Sequence, residues 1–423
     1  MVDSAKAQSP YLQTAAILFA RAAQIIIQFG FVSIIIRELG PAVAGKTAIV
    51  LALLTVSRAI IPFGGDVVVL REAARSKGLN PDIKRLLRRT ASRTLLVSMV
   101  ASIFSVVYLH VVVGGDQLIF GAVAFLTPIG ALLGLLVSFL RATKSAIISQ
   151  LNDSLVGQTV PMFLVLTVGP KRLGLDGFFV LLTLFGFLCL AITVALTLFH
   201  LRSLTGKPED LSTSGQLDIG IGQVVSALLP RLPIILAGLF ILPREITYFD
   251  LGSKYTLFGA TLIWAAGTAL SPYFAKTNEI KSHYESNLYR NYLVTLLALN
   301  FVAWIAVLVM TPWLAKYLGL NFDELVATFM IMGLAGFADT PVSLYSYKAL
   351  MTGQERQSLR LNLTNLAVTA TLVVPLSIHL GAIGLSIAVL SGSAVRFFAY
   401  LAATRGRQLI STERLRKSRK FNV

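Results

Sequence analysis

The chain has 423 residues, of which 55% are hydrophobic and 13% charged, and its mean hydropathy is +0.76. Soluble proteins carry roughly 25% charged residues, so this composition excludes an ordinary soluble domain, and its hydrophobicity excludes a disordered chain. One cysteine, Cys189, excludes an intramolecular disulfide and any multi-cysteine metal site, while the formal net charge of +17 has to be placed along the chain before it can be read.

A membrane-spanning helix needs about 20 mainly apolar residues. Twelve segments meet this length: 11–36, 42–70, 91–113, 117–140, 146–168, 177–201, 218–242, 246–274, 288–311, 324–347, 357–378 and 382–404. The first is too long for a signal-peptide core, and no small-residue cleavage site follows it. Between the sixth and seventh spans lies a polar, turn-rich segment, 202–217, which divides the chain evenly. The fold class is therefore all-α and polytopic, with about twelve transmembrane helices in two six-helix lobes, residues 1–205 and 206–423. The second lobe ends in a basic tail.

Placing the N-terminus in the cytoplasm puts 26 Lys and Arg on the cytoplasmic side and five on the other, with six left inside the spans. The positive-inside rule then places both termini in the cytoplasm, and most of the +17 is topology. Residues 81–93 read as an interfacial helix leading into the third span, and the tail 414–420 as a polybasic contact for anionic lipid.

The stretch Gly40-Pro-Ala-Val-Ala-Gly-Lys46-Thr47 matches the phosphate-binding loop spacing. Such a loop works between a strand and a helix, beside a carboxylate that holds magnesium. Here apolar spans flank it on both sides. It reads as a short extracytoplasmic turn, broken by Gly40 and Pro41, with Gly45 packing. No catalytic set is evident. His110, His200, His283 and His379 are scattered, and Gly130 with Gly134 forms a G-x-x-x-G pattern that signals close helix packing.

The six cations within the spans are Arg21, Lys46, Arg58, Arg231, Lys254 and Arg396. A charge at a helix centre costs about 2.5–3.5 kcal/mol on the insertion scale, and such residues face a cavity or a partner. Arg21, Arg58 and Arg231 have no acidic residue at i±3 or i±4. Lys254 has Asp250 at i−4, which allows a local pair, and Arg396 has Asp339 as a possible partner. Lys46 can also reach the interface by snorkelling. Gln24 and Gln28 continue a polar stripe from Arg21, which a water-filled cavity or polar helix packing tolerates. The spacing from Arg21 to Lys46 is 25 residues and from Arg231 to Lys254 is 23, so both halves open on a similar cationic pair. The substrate-site candidates are Arg21, Arg58, Arg231, Lys254, Lys46, Gln24 and Gln28. The in-membrane acids Asp66, Asp153, Asp250 and Asp339 are candidates for binding a coupling proton or sodium ion, and equally for structural counter-ions.

Four stretches resemble the polysaccharide flippases, the O-antigen type, of the multidrug/oligosaccharidyl-lipid/polysaccharide exporter superfamily. They are Arg37-Glu-Leu-Gly-Pro41 with Gly45, Leu70-Arg-Glu-Ala73, Leu140-Arg-Ala-Thr-Lys144, and Leu270-Ser-Pro-Tyr-Phe-Ala-Lys276. The resemblance implies a V-shaped, alternating-access transporter in the bacterial inner membrane. Its cargo would be an undecaprenyl-diphosphate-linked oligosaccharide. Relatives that flip the peptidoglycan precursor carry cations on the first, second and seventh or eighth spans, where Arg21, Arg58 and Arg231 lie here. That branch has fourteen spans, however, and this chain has twelve.

The expected partners are the lipid-linked oligosaccharide, membrane lipids and other polysaccharide-assembly proteins, with no nucleic acid and no cofactor. Two alternatives stay open: a multidrug or cation antiporter of the same fold, which should have an acidic cavity, and a membrane-embedded polysaccharide polymerase, which should have a large outer loop. Reporter fusions after residues 40, 115, 173, 244, 318 and 380 should all read as extracytoplasmic. Cytoplasmic signals at 173 and 244 together would overturn the two-lobe topology.

Overall fold

The computed structural model describes residues 10–75, 82–114, 117–141, 152, 159–202, 216–276, 283–351 and 354–420. It is all-α, and no strand occurs among these residues. Thirteen helices follow in chain order: α1 Pro10–Leu39, α2 Pro41–Ile60, α3 Gly65–Arg75, α4 Asp82–Val112, α5 Gln117–Arg141, α6 Val160–Val168, α7 Pro170–Arg202, α8 Gln216–Leu228, α9 Leu232–Ala237, α10 Pro243–Lys276, α11 His283–Leu318, α12 Phe322–Met351 and α13 Glu355–Lys420. Seven helices among the described residues are long and apolar enough to cross a membrane, and one of these, within α13, has a 48-residue stretch. That stretch covers two of the expected spans, divided by a kink at Gly381, whose φ of 56° a side chain would resist.

The punctuation of the chain explains most boundaries. Gly40 adopts φ 91°, and Pro41 follows at the first helical position, where its missing N–H leaves nothing unsatisfied. The second expected span does not run straight to residue 70. It stops at Ile60, turns through Pro62, Phe63 and Gly64, and resumes as α3. The seventh span is broken too. Helix α8 ends at Leu228, and α9 starts at Leu232, with Pro230 and Pro233 bracketing the break. The segment 81–93 is no separate interfacial helix. From Asp82 it is continuous with the third span as α4. The boundary expected at 205/206 lies outside the described residues.

Most of α1–α7 pack chiefly on one another, as do most of α8–α13; α2 and α8 pack mainly on the opposite group, and contacts between the two groups run mainly through α1, α2 and α3. The most extensive of these is α2 against α10. It depends on Gly45, because an added Cβ there would sit 1.7 Å from the carbonyl oxygen of Pro243. Beside it, the Thr247 hydroxyl donates to the Pro41 carbonyl at 2.5 Å. Arg37 of α1 donates to the Tyr317 hydroxyl of α11 at 2.8 Å and lies over its ring. The Tyr108 hydroxyl of α4 donates to the Ile235 carbonyl of α9. The two groups of helices therefore meet closely at the end where α1 finishes and α2 begins.

Gly45→Ala is expected to force α2 and α10 apart and to cost about 1–3 kcal/mol, the usual penalty of overpacking. Thermal unfolding of the purified protein in detergent should register that loss. Gly30→Ala is the control, because nothing lies within 4 Å of a Cβ built there.

Candidate functional site

Between the two groups of helices lies a cavity of about 1430 Å³. Phe31, Ala48 and Met162 line it near the closed end. Toward the opposite end its lining reaches Arg141, the last residue of α5, and Arg356, the second residue of α13, both of them exposed.

The described lining carries six cations, Arg58, Arg141, Arg231, Lys254, Arg356 and Arg396, against two carboxylates, Asp66 and Asp250. Lys254 and Asp250 neutralise one another: Nζ lies 3.0 Å from Oδ1, one turn apart on α10, and both side chains are almost fully buried. Arg396 is held by Asp339, with Nη1 donating to Oδ1 at 3.1 Å and tying α13 to α12. Its Nε is buried without a hydrogen-bond partner.

Arg58 packs against two glycines of α5. Cβ atoms built at Gly130 and Gly134 would contact its stem at 3.7–3.9 Å. The G-x-x-x-G pattern on α5 thus lies against α2 at Arg58, touching both its stem and its backbone carbonyl. Arg231 sits at the break in the seventh span, as the residue before α9. Backbone that leaves the helix at membrane depth is tolerated where it lines a cavity. Among the described residues, no carboxylate forms a salt bridge with Arg231. It is near enough to Lys254 for their like charges to interact.

Gln24 and Gln28 line the cavity, as their stripe on α1 led us to expect. Lys46 does not. It lies half-buried in the second turn of α2, beside the crossing with α10, so depth along the sequence did not fix the direction in which it points. The Arg21 side chain and Asp153 lie outside the described residues. Asp66 lines the cavity, and its Oδ2 accepts from Gln223 Nε2 at 2.9 Å. Gln223 also accepts from the Gly64 N–H at 2.9 Å, so one side chain of α8 grips the turn before α3. The other Asp66 oxygen is buried without a hydrogen-bond partner.

Sequence reasoning treated Arg141 and Arg356 only as topology signals, yet both face the cavity. It did not notice Asn362, Ser343, Ser346, Tyr347 and Ser358, which line it as well. A polar stripe along the tenth and eleventh spans was the available signal.

Solved structures with this architecture are transporters. An inward-facing multidrug resistance MATE family transporter of the MOP superfamily matches with TM-score 0.63 and 15% identity, over 92% of this chain and 95% of that one. The outward-facing form of such a transporter matches with TM-score 0.59 and 15% identity, over 94% of both chains. The chain shares the fold of MATE family transporters. A MOP superfamily transporter from Pyrococcus furiosus, described as having a binding pocket of reversed polarity that suggests a different function, matches with TM-score 0.60, 15% identity and 94% coverage of both chains. No protein-family model matches the chain, and no curated protein matches it.

The buried Lys254–Asp250 pair gives a direct test of how these charges are held. Asp250→Asn leaves an ammonium uncompensated and should cost about 3–5 kcal/mol, whereas removing both charges by Asp250→Asn with Lys254→Met should recover most of it. Membrane abundance and thermal midpoint of the two variants measure the difference.

Proposed function

We propose that this protein moves an anionic, lipid-linked oligosaccharide across a bacterial inner membrane by alternating access, its termini in the cytoplasm. One observation carries the reading: the cavity lining has more cations than carboxylates, and Arg231 has no salt-bridge partner among the described residues. A diphosphate brings negative charge into a site of low dielectric, where a guanidinium meets it with paired, charge-assisted hydrogen bonds. Arg58 and Arg231 are the groups that would make them, with Lys254 behind Arg231 and Arg21 a further candidate on α1. The lipid tail stays in the bilayer and leaves between the two groups of helices. For release at the closed end, the Gly45–Pro243, Thr247–Pro41 and Arg37–Tyr317 contacts must part. Asp66 is the coupling-ion candidate we favour, for proton or sodium, because Asp250 and Asp339 are already occupied by Lys254 and Arg396.

A multidrug antiporter is the second reading, and the MATE multidrug transporters among the structural neighbours favour it. Against it stands the sign of the cavity, since an organic cation would meet mostly cations.

Arg58→Ala and Arg231→Ala should insert at normal abundance and lose export of the polysaccharide. Lysine should substitute poorly, because a point charge lacks the planar fork. Each lost contact corresponds to about 1.5–3 kcal/mol, roughly ten- to a hundredfold in affinity. Export and surface abundance in the producing strain check this. Resistance to cationic drugs that rises with expression and is unchanged in both variants would instead favour the antiporter.

A further inference from the structure

The two sides of the cavity differ in chemistry, quite apart from charge. The side built by α1, α2, α5, α6 and α7 is largely aliphatic, with Leu51, Leu54, Leu126, Leu133, Val137 and Leu182 facing the space. The side built by α8, α10, α12 and α13 is largely polar, with Ser343, Ser346, Tyr347, Ser358, Asn362 and Arg396. Both groups of helices span the same hydrocarbon layer, so the bilayer does not impose this difference. Lining residues of a cavity answer to what the cavity holds.

The polar side also has unmet hydrogen-bonding capacity. Asn362 Oδ1 and Arg396 Nε are buried and have no hydrogen-bond partner. One accepts and the other donates. Polar groups left in this state are costly unless water or a ligand completes them. A hydroxyl is the smallest group that both donates and accepts, so a hydroxyl-rich ligand suits this side. The other side offers such a ligand fewer groups, chiefly Gln24, Gln28, Thr55 and Ser138, and its larger aliphatic share suits hydrocarbon at about 25 cal/mol per Å² of apolar surface covered. Arg58 on one side and Arg231 on the other supply charge to the space between.

We propose that the cavity holds an amphiphile in one orientation: sugar hydroxyls against the α12–α13 side, the anionic junction at Arg58 and Arg231, and the apolar units nearest that junction along the α2–α5 side. This rests on the lipid-anion reading above and adds to it which wall takes which part of the molecule. Sliding the amphiphile end for end would set hydroxyls against leucine and hydrocarbon against unpaired polar atoms, so both walls oppose it.

The experiment measures binding of three probes to the purified full-length protein in detergent: farnesyl diphosphate, glucose 1-phosphate and inorganic pyrophosphate. Asn362→Leu should weaken glucose 1-phosphate about fivefold or more, the loss of about one hydrogen bond, while leaving farnesyl diphosphate within about twofold. Leu54→Asn should do the reverse. Neither should alter pyrophosphate, and Arg231→Ala should weaken all three. Ser346→Ala and Leu54→Ala replace the larger changes if thermal unfolding shows that those destabilise the protein. Equal effects of both wall variants on farnesyl diphosphate and glucose 1-phosphate would overturn the orientation while leaving the anion site intact, provided Arg231→Ala still weakens binding. Absence of binding by all three probes, or binding that Arg231→Ala leaves unchanged, would overturn the anion site and the orientation together.

Discussion

A charge cannot sit in hydrocarbon alone, and this constraint organises the molecule. Each in-membrane cation must find a carboxylate, water or a polar surface. Lys254 and Arg396 have found carboxylates, one on the same helix and one on a neighbour. Arg58 and Arg231 line the cavity, and Arg231 forms no salt bridge among the described residues. Such a space between apolar helices is possible only if the helices splay, which in turn requires them to be held together elsewhere. Here they are held at the end where α1 meets α2, by the glycine-sized crossing of α2 and α10 and by three side-chain hydrogen bonds around it.

The same requirement accounts for the two broken spans. An unbroken helix satisfies its own backbone and presents only side chains. The second span opens at residues 61–64 and the seventh at 229–231, and Ala59 and Asp66 beside the first break and Arg231 at the second line the cavity. At the first break a glutamine from α8 completes the Gly64 N–H and grips Asp66. At the second the chain places Arg231 outside regular helix, half-buried and lining the cavity. Both breaks fall on helices that touch the opposite group, so each also relieves the geometry of that contact.

Much of this was legible in the sequence and some was not, for identifiable reasons. The all-helical, polytopic character and the long apolar segments follow from composition and window length, which need no tertiary knowledge. Gln24, Gln28, Arg58, Arg231 and Lys254 all line the cavity, because polar residues inside apolar spans have few other places to go. Lys46 misled because it is close to a helix end, where its direction depends on the crossing with α10 and not on depth. The Asp339–Arg396 pair was a candidate because both charges fall inside apolar spans, although no periodicity announces a contact across 57 residues. Proline at 230 and 233 did signal the break in the seventh span, but hydropathy averaged over twenty residues hides it. Gly130 and Gly134 were read as close helix packing, and they do lie against α2, at the stem and backbone carbonyl of Arg58.

Fold and cavity chemistry answer different questions here. At 15% identity a shared fold fixes how helices are arranged and leaves the lining free to vary. An antiporter for organic cations needs carboxylates that are available to the drug. In this chain Asp250 faces Lys254 at 3.0 Å and Asp339 faces Arg396 at 3.1 Å, so neither can serve a cationic cargo without first releasing a buried cation. That leaves Asp66 as the single lining carboxylate without a cationic partner at salt-bridge distance among the described residues, and it is hydrogen-bonded to Gln223. On the reading proposed above, one such carboxylate among several arginines gives the lining a positive field that favours an anion over a cation. The proposed anionic cargo therefore rests on the arrangement of the acids and not only on the number of bases.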